Sequence, residues 1–168
     1  MYELREGDIE AFFRTPFESY GNDSLYVSPL KSDLKRLLDK RRNPLFTQDG
    51  SFSFFTVHQD GIPVGRIVAH VHDASNRLHD LRRSYFGFFD CADNPEIACR
   101  LLTAAEDWGR RQGCVEIAGN FNLTAMQQIG VLTGGFEHAP YTDQVYNPPH
   151  IPRLLETLGY ESFFPMST

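Results

Sequence analysis

A loop rich in carboxylates lies where this sequence would otherwise be suited to binding a phosphate. Residues 86–113 (FGFFDCADNPEIACRLLTAAEDWGRRQG) predict a buried strand, a tight loop and a long amphipathic helix that ends at glycine. Free backbone N–H groups in such a loop often bind phosphate. Asp90, Asp93 and Glu96 place negative charge there, and Asn94 can cap the helix. A carboxylate about 5 Å from a phosphate charge costs about 3 kcal/mol at an effective dielectric of about 20, so these residues disfavour an anionic ligand.

A thiol and several histidines are the other groups that could carry chemistry. Cys91 precedes the helix N-terminus, which lowers a thiol pKa, but the neighbouring carboxylates raise it, so we interpret it as a small buried residue. His70 and His72 lie two residues apart on one predicted strand and share a face. With Asp73 or His58 they could bind a metal. Because no third ligand is defined, we expect solvated or hydrogen-bonded histidines and no metal site.

Composition limits the classes of function. The 168 residues are 41% hydrophobic, which is enough for one folded domain. A net charge of −6 argues against nucleic acid as a partner, because that binding depends on clustered Lys and Arg. Three cysteines without a C-x-x-C pair fit a reducing compartment, so we expect a cytoplasmic protein. No run approaches the roughly 20 apolar residues of a membrane span, so we expect no membrane partner.

The pattern of apolar residues predicts four helices and four strands. Helices are predicted at 8–18, 30–42, 94–112 and 150–158, and strands at 52–58, 62–72, 84–89 and 115–119. Asp60-Gly61 between the first two strands predicts a hairpin, because this pair readily adopts the positive φ angles of a tight turn. The polar stretch that begins at Asp73 is predicted to be a connection. This order of elements indicates an α+β or mixed α/β domain.

The predicted helix at 30–42 has a strongly basic face in an otherwise acidic chain. It carries six cations: Lys31, Lys35, Arg36, Lys40, Arg41 and Arg42. We interpret it as a solvated helix face. The alternatives are binding of an anionic ligand, of a coenzyme phosphate or of an acidic neighbour.

Several stretches resemble the GCN5-related N-acetyltransferase (GNAT) superfamily. The segment 85–119 is similar to the superfamily's strand, pyrophosphate loop and helix, which carry the pattern R/Q-x-x-G-x-G/A and then Leu-Leu. VGRI at 64–67 beside the hairpin and LLETLGYE at 154–161 extend the likeness. The segments YVSPLKSDLKRLLDKRRNPLF and YNPPH resemble those of a narrower set of uncharacterised bacterial GNAT-like proteins, which usually continue well beyond this length.

The resemblance implies one GNAT-like domain over residues 1–168, either a short member or the N-terminal part of a longer protein. The implied fold is a mixed, mostly antiparallel sheet flanked by helices. It also implies binding of acetyl-CoA or another acyl-CoA. In the alignment the motif's Arg or Gln falls on Asp93, its first Gly on Glu96 and its Gly/Ala on Ala98, so only Ala98 matches. The residues implied along the coenzyme are Phe88, Phe89, Ala98 and Asn122.

Two of these implied roles have open alternatives. Asn122 would hydrogen-bond a pantetheine amide, but together with Asn120 it could equally cap a helix starting near Thr124. The superfamily often takes its proton donor for the leaving thiolate from a tyrosine near the last helix. Tyr146 is the best candidate, with His150 behind it as a second catalytic residue, although a tyrosine before Pro-Pro is often a packed anchor.

The resemblance therefore implies acyl transfer from an acyl-CoA to a small amine. A different class of function stays open, in which the protein has lost coenzyme binding and serves as a ligand-binding or interaction module. Docking to a second domain or to a homodimer partner belongs to that alternative. Other chemistry in the same cleft is the third possibility, because fold does not fix function.

Overall fold

Five strands form one sheet in the order in which they occur along the chain. The computed structural model describes residues 1–21, 24–46, 50–124, 128–141 and 144–165. Its elements are β1 (Tyr2–Glu6), α1 (Ile9–Tyr20), α2 (Lys31–Leu37), β2 (Ser51–Gln59), β3 (Ile62–Val71), α3 (Asp73–His79), β4 (Arg83–Cys91), α4 (Pro95–Arg111), β5 (Glu116–Ala118) and α5 (His150–Thr157). Neighbours from β1 to β4 pair antiparallel, whereas β4 and β5 pair parallel. The predicted α+β fold with a mixed, mostly antiparallel sheet is confirmed.

The β2–β3 hairpin forms as its turn residues predict. Asp60 and Gly61 have φ angles of 52° and 85°, and Gln59 pairs with Ile62 on either side of them. A two-residue turn in which both residues have positive φ has a backbone twist that matches the right-handed twist of the flanking strands. This turn fixes the register of the two longest strands.

Alternate residues of the sheet pack against helices on opposite faces. On one face, Ile67 contributes to the core that α4 and α5 cover, together with Leu101 and Leu154. On the other face, Val68 packs in a second core with Phe12 of α1, and this core also contains Leu34 of α2. The side-chain period of two along a strand therefore assigns α4 and α2 to opposite sides of the molecule.

Three elements differ from the sequence prediction. β1 was not predicted, because it is a five-residue edge strand whose side chains are mostly exposed and so gives no apolar alternation. α3 lies in the stretch predicted to be a connection, and it buries none of its residues. The predicted helix at 30–42 ends as α2 at Leu37, where the Asn43 side chain donates to the Leu37 carbonyl at 2.9 Å. For β1 and α3 the local pattern lacked the apolar period on which the prediction depends.

None of the helices within the described residues is both long enough and apolar enough to cross a membrane.

Candidate functional site

The regular pairing of β4 with β5 is short, and the chain then crosses over β4. The parallel ladder joins residues 83–85 to 116–118. After it, the Phe121 N–H donates to the Phe86 carbonyl at 2.8 Å. Gly87 permits this crossing, because a Cβ atom at that position would lie 2.2 Å from the Phe121 carbonyl oxygen. The absence of a side chain at residue 87 thus brings the segment 119–122 onto the strand.

A cavity of about 560 Å³ opens beside this crossing. Its wall combines the segment around α2, the end of β4 and the loops before α5. Residues that line it include Tyr26, Leu30, Phe88, Phe89, Asn122 and Tyr146. Four of the six site residues predicted from the sequence, namely Phe88, Phe89, Asn122 and Tyr146, are thus brought to one cavity. Their roles stay predictions.

A β-bulge shapes the cavity wall at Phe88. The φ angle of Phe88 is 48°, and a positive φ is unusual for a bulky residue such as phenylalanine. Arg66 and Val68 of β3 pair with Asp90 and Gly87, so β4 has one more residue than β3 between these pairs. An extra residue in one strand redirects the backbone groups around it.

Two neighbouring backbone N–H groups consequently point at the segment 119–122. Phe88 N–H donates to Asn122 Oδ1 at 2.6 Å, and Phe89 N–H donates to Asn120 Oδ1 at 3.3 Å. Asn122 is buried, and its Nδ2 donates in turn to Gln128 Oε1 at 3.1 Å. These donors are satisfied by side-chain amides and not by a neighbouring strand, so rotation of two side chains is enough to free them. The predicted helix that would follow Thr124 falls largely on 125–127, outside the described residues.

A buried ion pair lies at the base of the cavity. The side chains of Arg66 and Asp90 are 3% and 9% exposed, and Arg66 Nε donates to Asp90 Oδ2 at 2.7 Å. Arg66 also donates to the Phe12 carbonyl at 3.0 Å and to the Tyr26 hydroxyl at 3.2 Å. Asp90 accepts a second bond from the Tyr20 hydroxyl. Burial and the Asp90 charge raise the pKa of Tyr20 well above its ordinary value, so the phenol stays protonated and donates.

Three tyrosine rings meet at one end of the cavity. The ring centroids of Tyr20, Tyr26 and Tyr146 are 6.0 to 6.4 Å apart in edge-to-face or tilted arrangements. The hydroxyl of Tyr146 lies 3.4 Å from Ser24 Oγ. This geometry fixes the Tyr146 ring by packing, and the residue also lines the cavity. Both roles considered for Tyr146, packed anchor and proton donor, are therefore compatible with its position.

His150 begins α5 behind these rings. Its Nε2 lies 2.8 Å from the Cys91 carbonyl, to which it donates, and its ring centroid lies 6.1 Å from that of Tyr20. His150 therefore contacts the tyrosine cluster from outside the cavity lining. A catalytic role for it stays a prediction, and the geometry suits it better to holding Tyr20 than to meeting a substrate.

The N-terminus of α4 is capped by its own sequence. Asn94 Oδ1 accepts the Glu96 N–H at 2.8 Å, and Pro95 supplies no N–H. Ala98 is fully buried in the core beneath α4, and its N–H donates to the Asn94 carbonyl at 3.2 Å. The side chain of Ala98 thus lies among core residues and not in the cavity lining.

Each acidic side chain of this loop has an arginine partner. Arg153 of α5 donates to both carboxylate oxygens of Asp93, at 2.6 and 2.7 Å. Arg100 donates to Glu96 at 2.8 Å one helical turn along α4. All four side chains are about half exposed. The loop that reads as acidic in the sequence is therefore locally neutral, which removes most of the repulsion expected for a phosphate.

The thiol and the histidines are structural. Burial, with the charges of Asp90 and Asp93 as smaller causes, raises the pKa of Cys91, so it stays a thiol. His70 and His72 donate to the carbonyls of Phe121 and Leu123 at 2.8 and 2.9 Å. Within the described ranges, no three or more His, Cys, Asp or Glu side chains are grouped to hold a metal ion.

Sequence reasoning missed the Arg66–Asp90 pair, Tyr20, Tyr26 and the bulge. The two residues lie 24 positions apart on different strands, and nothing in the local sequence around either one indicates that they pair. An Arg inside the otherwise apolar run VGRIVA was the available signal, because a buried cation requires a buried partner.

Comparisons with known proteins extend these observations. No family model matches the chain. It is 29% identical over 157 residues to the protein YghO of Escherichia coli K12, covering 94% of this chain and 40% of that protein. It is 27% identical over 154 residues to the bacterial ceramide synthase of Caulobacter vibrioides, covering 91% of this chain and 40% of that protein. The chain thus spans two fifths of the length of these relatives.

Solved structures match over the full length of the chain. A ribosomal-protein-alanine N-acetyltransferase from Brucella melitensis has a TM-score of 0.58 at 12% identity, covering 100% of this chain and 98% of that one. An aminoglycoside N-acetyltransferase in complex with CoA has a TM-score of 0.54 at 13% identity, covering 100% and 93%. At such identities the likeness concerns the fold. The chain therefore has the fold of the GCN5-related N-acetyltransferase superfamily.

Proposed function

We propose that this chain transfers an acyl group from an acyl-CoA to the nitrogen of a small amine. The observation that carries the proposal is the bulge in β4, which directs two adjacent N–H groups toward Asn120 and Asn122 in the lining of a cavity that Tyr146 also lines. The fold supports it, because solved structures of this fold include N-acetyltransferases. A relative is named a ceramide synthase, and a ceramide is itself an N-acylated amine.

The residues of the cavity fit a coenzyme with amide and carbonyl groups. The N–H groups of Phe88 and Phe89 would bind such acceptors once the side chains of Asn122 and Asn120 rotate away. Asn122 would then offer its own amide to the pantetheine, as the resemblance implies. At the start of α4, Arg100 and Arg153 neutralise Glu96 and Asp93, so these carboxylates no longer oppose a phosphate there.

Acyl-CoA, when bound, supplies a thioester whose carbonyl carbon is open to attack by an amine. Tyr146 would give its hydroxyl proton to the departing sulfur, since it lines the cavity and its ring is fixed by Tyr20 and Tyr26. The resulting phenolate would then take up the proton that the newly acylated nitrogen of the amine releases. Arg66 and Asp90 would hold those tyrosines, and His150 would hold Tyr20 from behind.

The first test is titration of the purified chain with acetyl-CoA, a longer acyl-CoA and free CoA by calorimetry, followed by a thiol-release assay with a panel of amines. Saturable binding and amine-dependent release of CoA would support the proposal. The absence of binding at millimolar ligand would contradict it. That result would favour an interaction module in which the N–H groups of β4 stay hydrogen-bonded to Asn120 and Asn122.

The tyrosine assignment has its own test. Tyr146→Phe should lower turnover about a hundredfold while leaving acyl-CoA affinity unchanged, because only the proton donor is removed. Tyr141→Phe is the matched control, since Tyr141 is 80% exposed, and it should leave turnover unchanged. Full activity in Tyr146→Phe would make Tyr146 a packed anchor.

We also propose a cytoplasmic location. Cys91, Cys99 and Cys114 are all free thiols, as expected in a reducing compartment.

A further inference from the structure

Exposed apolar side chains lie beside the cavity, at the end of α1 and in the segment before α2. The apolar rim consists of Phe17, Leu25, Val27 and Leu30, which are 49%, 36%, 43% and 70% exposed. Val27 and Leu30 line the cavity, and the Phe17 ring packs on that of Tyr26, another lining residue, at 5.8 Å. An apolar rim that is continuous with a cavity mouth is a recognised mark of an interaction site.

The segment that follows the rim concentrates the positive charge of the molecule. Residues 31–42, the basic segment, contain six basic and two acidic residues and so carry a net charge of +4. The whole chain carries −6, which leaves −10 on the other residues. Positive net charge is thus concentrated in one segment of the chain, beside the apolar rim, and the remaining residues carry net negative charge.

The ion pairs of the basic segment are exposed and exchangeable. Lys31 and Lys35 both contact Glu10, and the three side chains are 43%, 49% and 54% exposed. Arg36 and Arg42 pair with acidic neighbours at 3.6 and 3.5 Å. Exposed pairs of this kind contribute little to stability, so these cations can bind an external anion without disturbing the fold.

We propose that the apolar rim and the basic segment together dock this protein on the surface of an anionic phospholipid bilayer. Interfacial binding to an anionic bilayer has two elements. Apolar side chains enter the boundary between headgroups and acyl chains, and a neighbouring cluster of Lys and Arg binds the anionic headgroups. A second copy of the chain fits this face less well, because two segments of +4 would meet. In this orientation the cavity faces the bilayer, and binding does not depend on the proposed activity. Binding at the surface needs no membrane-spanning helix, so the proposal departs from the expectation of no membrane partner, which rested on the lack of such a span.

The test is co-sedimentation of the full chain with vesicles of phosphatidylcholine mixed with phosphatidylglycerol, compared with vesicles of phosphatidylcholine alone. We expect binding to the anionic vesicles at low salt and its loss at about 0.5 M salt. The double variant Lys35→Gln with Arg41→Gln should weaken vesicle binding about thirtyfold, because each lost charge weakens it slightly more than fivefold and the two factors multiply. The matched control removes two charges from the opposite face through Arg110→Gln with Arg111→Gln, and it should bind as the wild type does.

The apolar rim is tested separately. Leu30→Ser should weaken vesicle binding about tenfold, because an exposed leucine no longer enters the bilayer. The control is Leu78→Ser, since Leu78 on α3 is 79% exposed and lies outside the rim. Failure to bind anionic vesicles, equal binding to both vesicle types, or equal effects of the rim and control variants would overturn the proposal. So would a concentration-dependent dimer that Leu30→Ser dissociates, because that outcome assigns the face to a second copy.

Discussion

The guanidinium of Arg66 and the carboxylate of Asp90 depend on each other because both lie out of solvent. Besides the bond between the two charges, three hydrogen-bonding groups contact the pair: the hydroxyls of Tyr20 and Tyr26 and the Phe12 carbonyl. Removal of one partner leaves the other charge buried and unpaired, which costs more than the pair contributes. The pair also lies in the wall of the cavity, so its loss would affect the tyrosines around it.

Arg66→Met is expected to lower the free energy of unfolding by about 3 to 5 kcal/mol, because Asp90 is left without its counter-charge. The double variant Arg66→Met with Asp90→Leu should recover most of this loss. Urea denaturation measures both. The control is Arg83→Met, whose pair with Glu116 is partly exposed and should cost less than about 1 kcal/mol. A double variant as unstable as the single would show that packing, and not charge, accounts for the effect.

Individual residues were predicted unevenly from the sequence. Phe88, Phe89, Asn122 and Tyr146 were expected near a coenzyme and do line one cavity. The neutralisation of Asp93 by Arg153 was invisible, because the partner lies 60 residues away on α5. Long-range partners of this kind follow from topology, which local spacing does not encode.

The element that shapes the cavity is the bulged strand together with the chain that crosses it. The hairpin, α4 and α5 were predictable because each has a strong turn signal or an apolar period. The bulge in β4 was not predicted, since apart from one glycine its sequence FGFFD has the composition of a regular buried strand. Gly87 was the available clue, because a glycine inside a strand often marks the close approach of another backbone.

Gly87→Ala should destabilise the protein by about 1 to 3 kcal/mol, because the new Cβ would lie 2.2 Å from the Phe121 carbonyl oxygen and must displace the crossing segment. The same displacement should weaken acyl-CoA binding. Thermal unfolding and calorimetric titration measure the two effects. Gly134→Ala, where a Cβ meets nothing within 4 Å, should change neither. Unchanged stability in Gly87→Ala would mean that the segment moves freely.

At the scale of the whole molecule, a buried histidine couples folding to pH. Burial lowers the pKa of His70 to about 3 from an ordinary value of 6.5, with His72 as a smaller cause. Below pH 6.5 the unfolded chain therefore takes up a proton that the folded chain does not, and stability falls until the pH reaches about 3. Above about pH 7.5 both states are neutral at this residue, so it adds no pH dependence there.

As the pH falls from about 7.5 to about 5.5, protonation of His70 in the unfolded chain is expected to lower the free energy of unfolding by about 1.3 kcal/mol. His70→Gln should remove this part of the slope, whereas His79→Gln, at an exposed position on α3, should retain it. Urea denaturation of the three proteins across this range provides the comparison. Identical slopes in wild type and His70→Gln would contradict the assignment.

The crossing of residues 119–122 over β4 also bears on the order in which the molecule comes apart. Strands β2 to β4 are held by long antiparallel ladders, whereas the crossing segment is held by a few bonds from Phe121, Asn120 and Asn122. Local opening free energies follow such differences, so amide hydrogens in this segment should exchange well before those of the central strands. The cavity would thus be lost by local opening in molecules whose central strands are still paired. Mutations that stabilise only the sheet would therefore not protect the site during storage or heating.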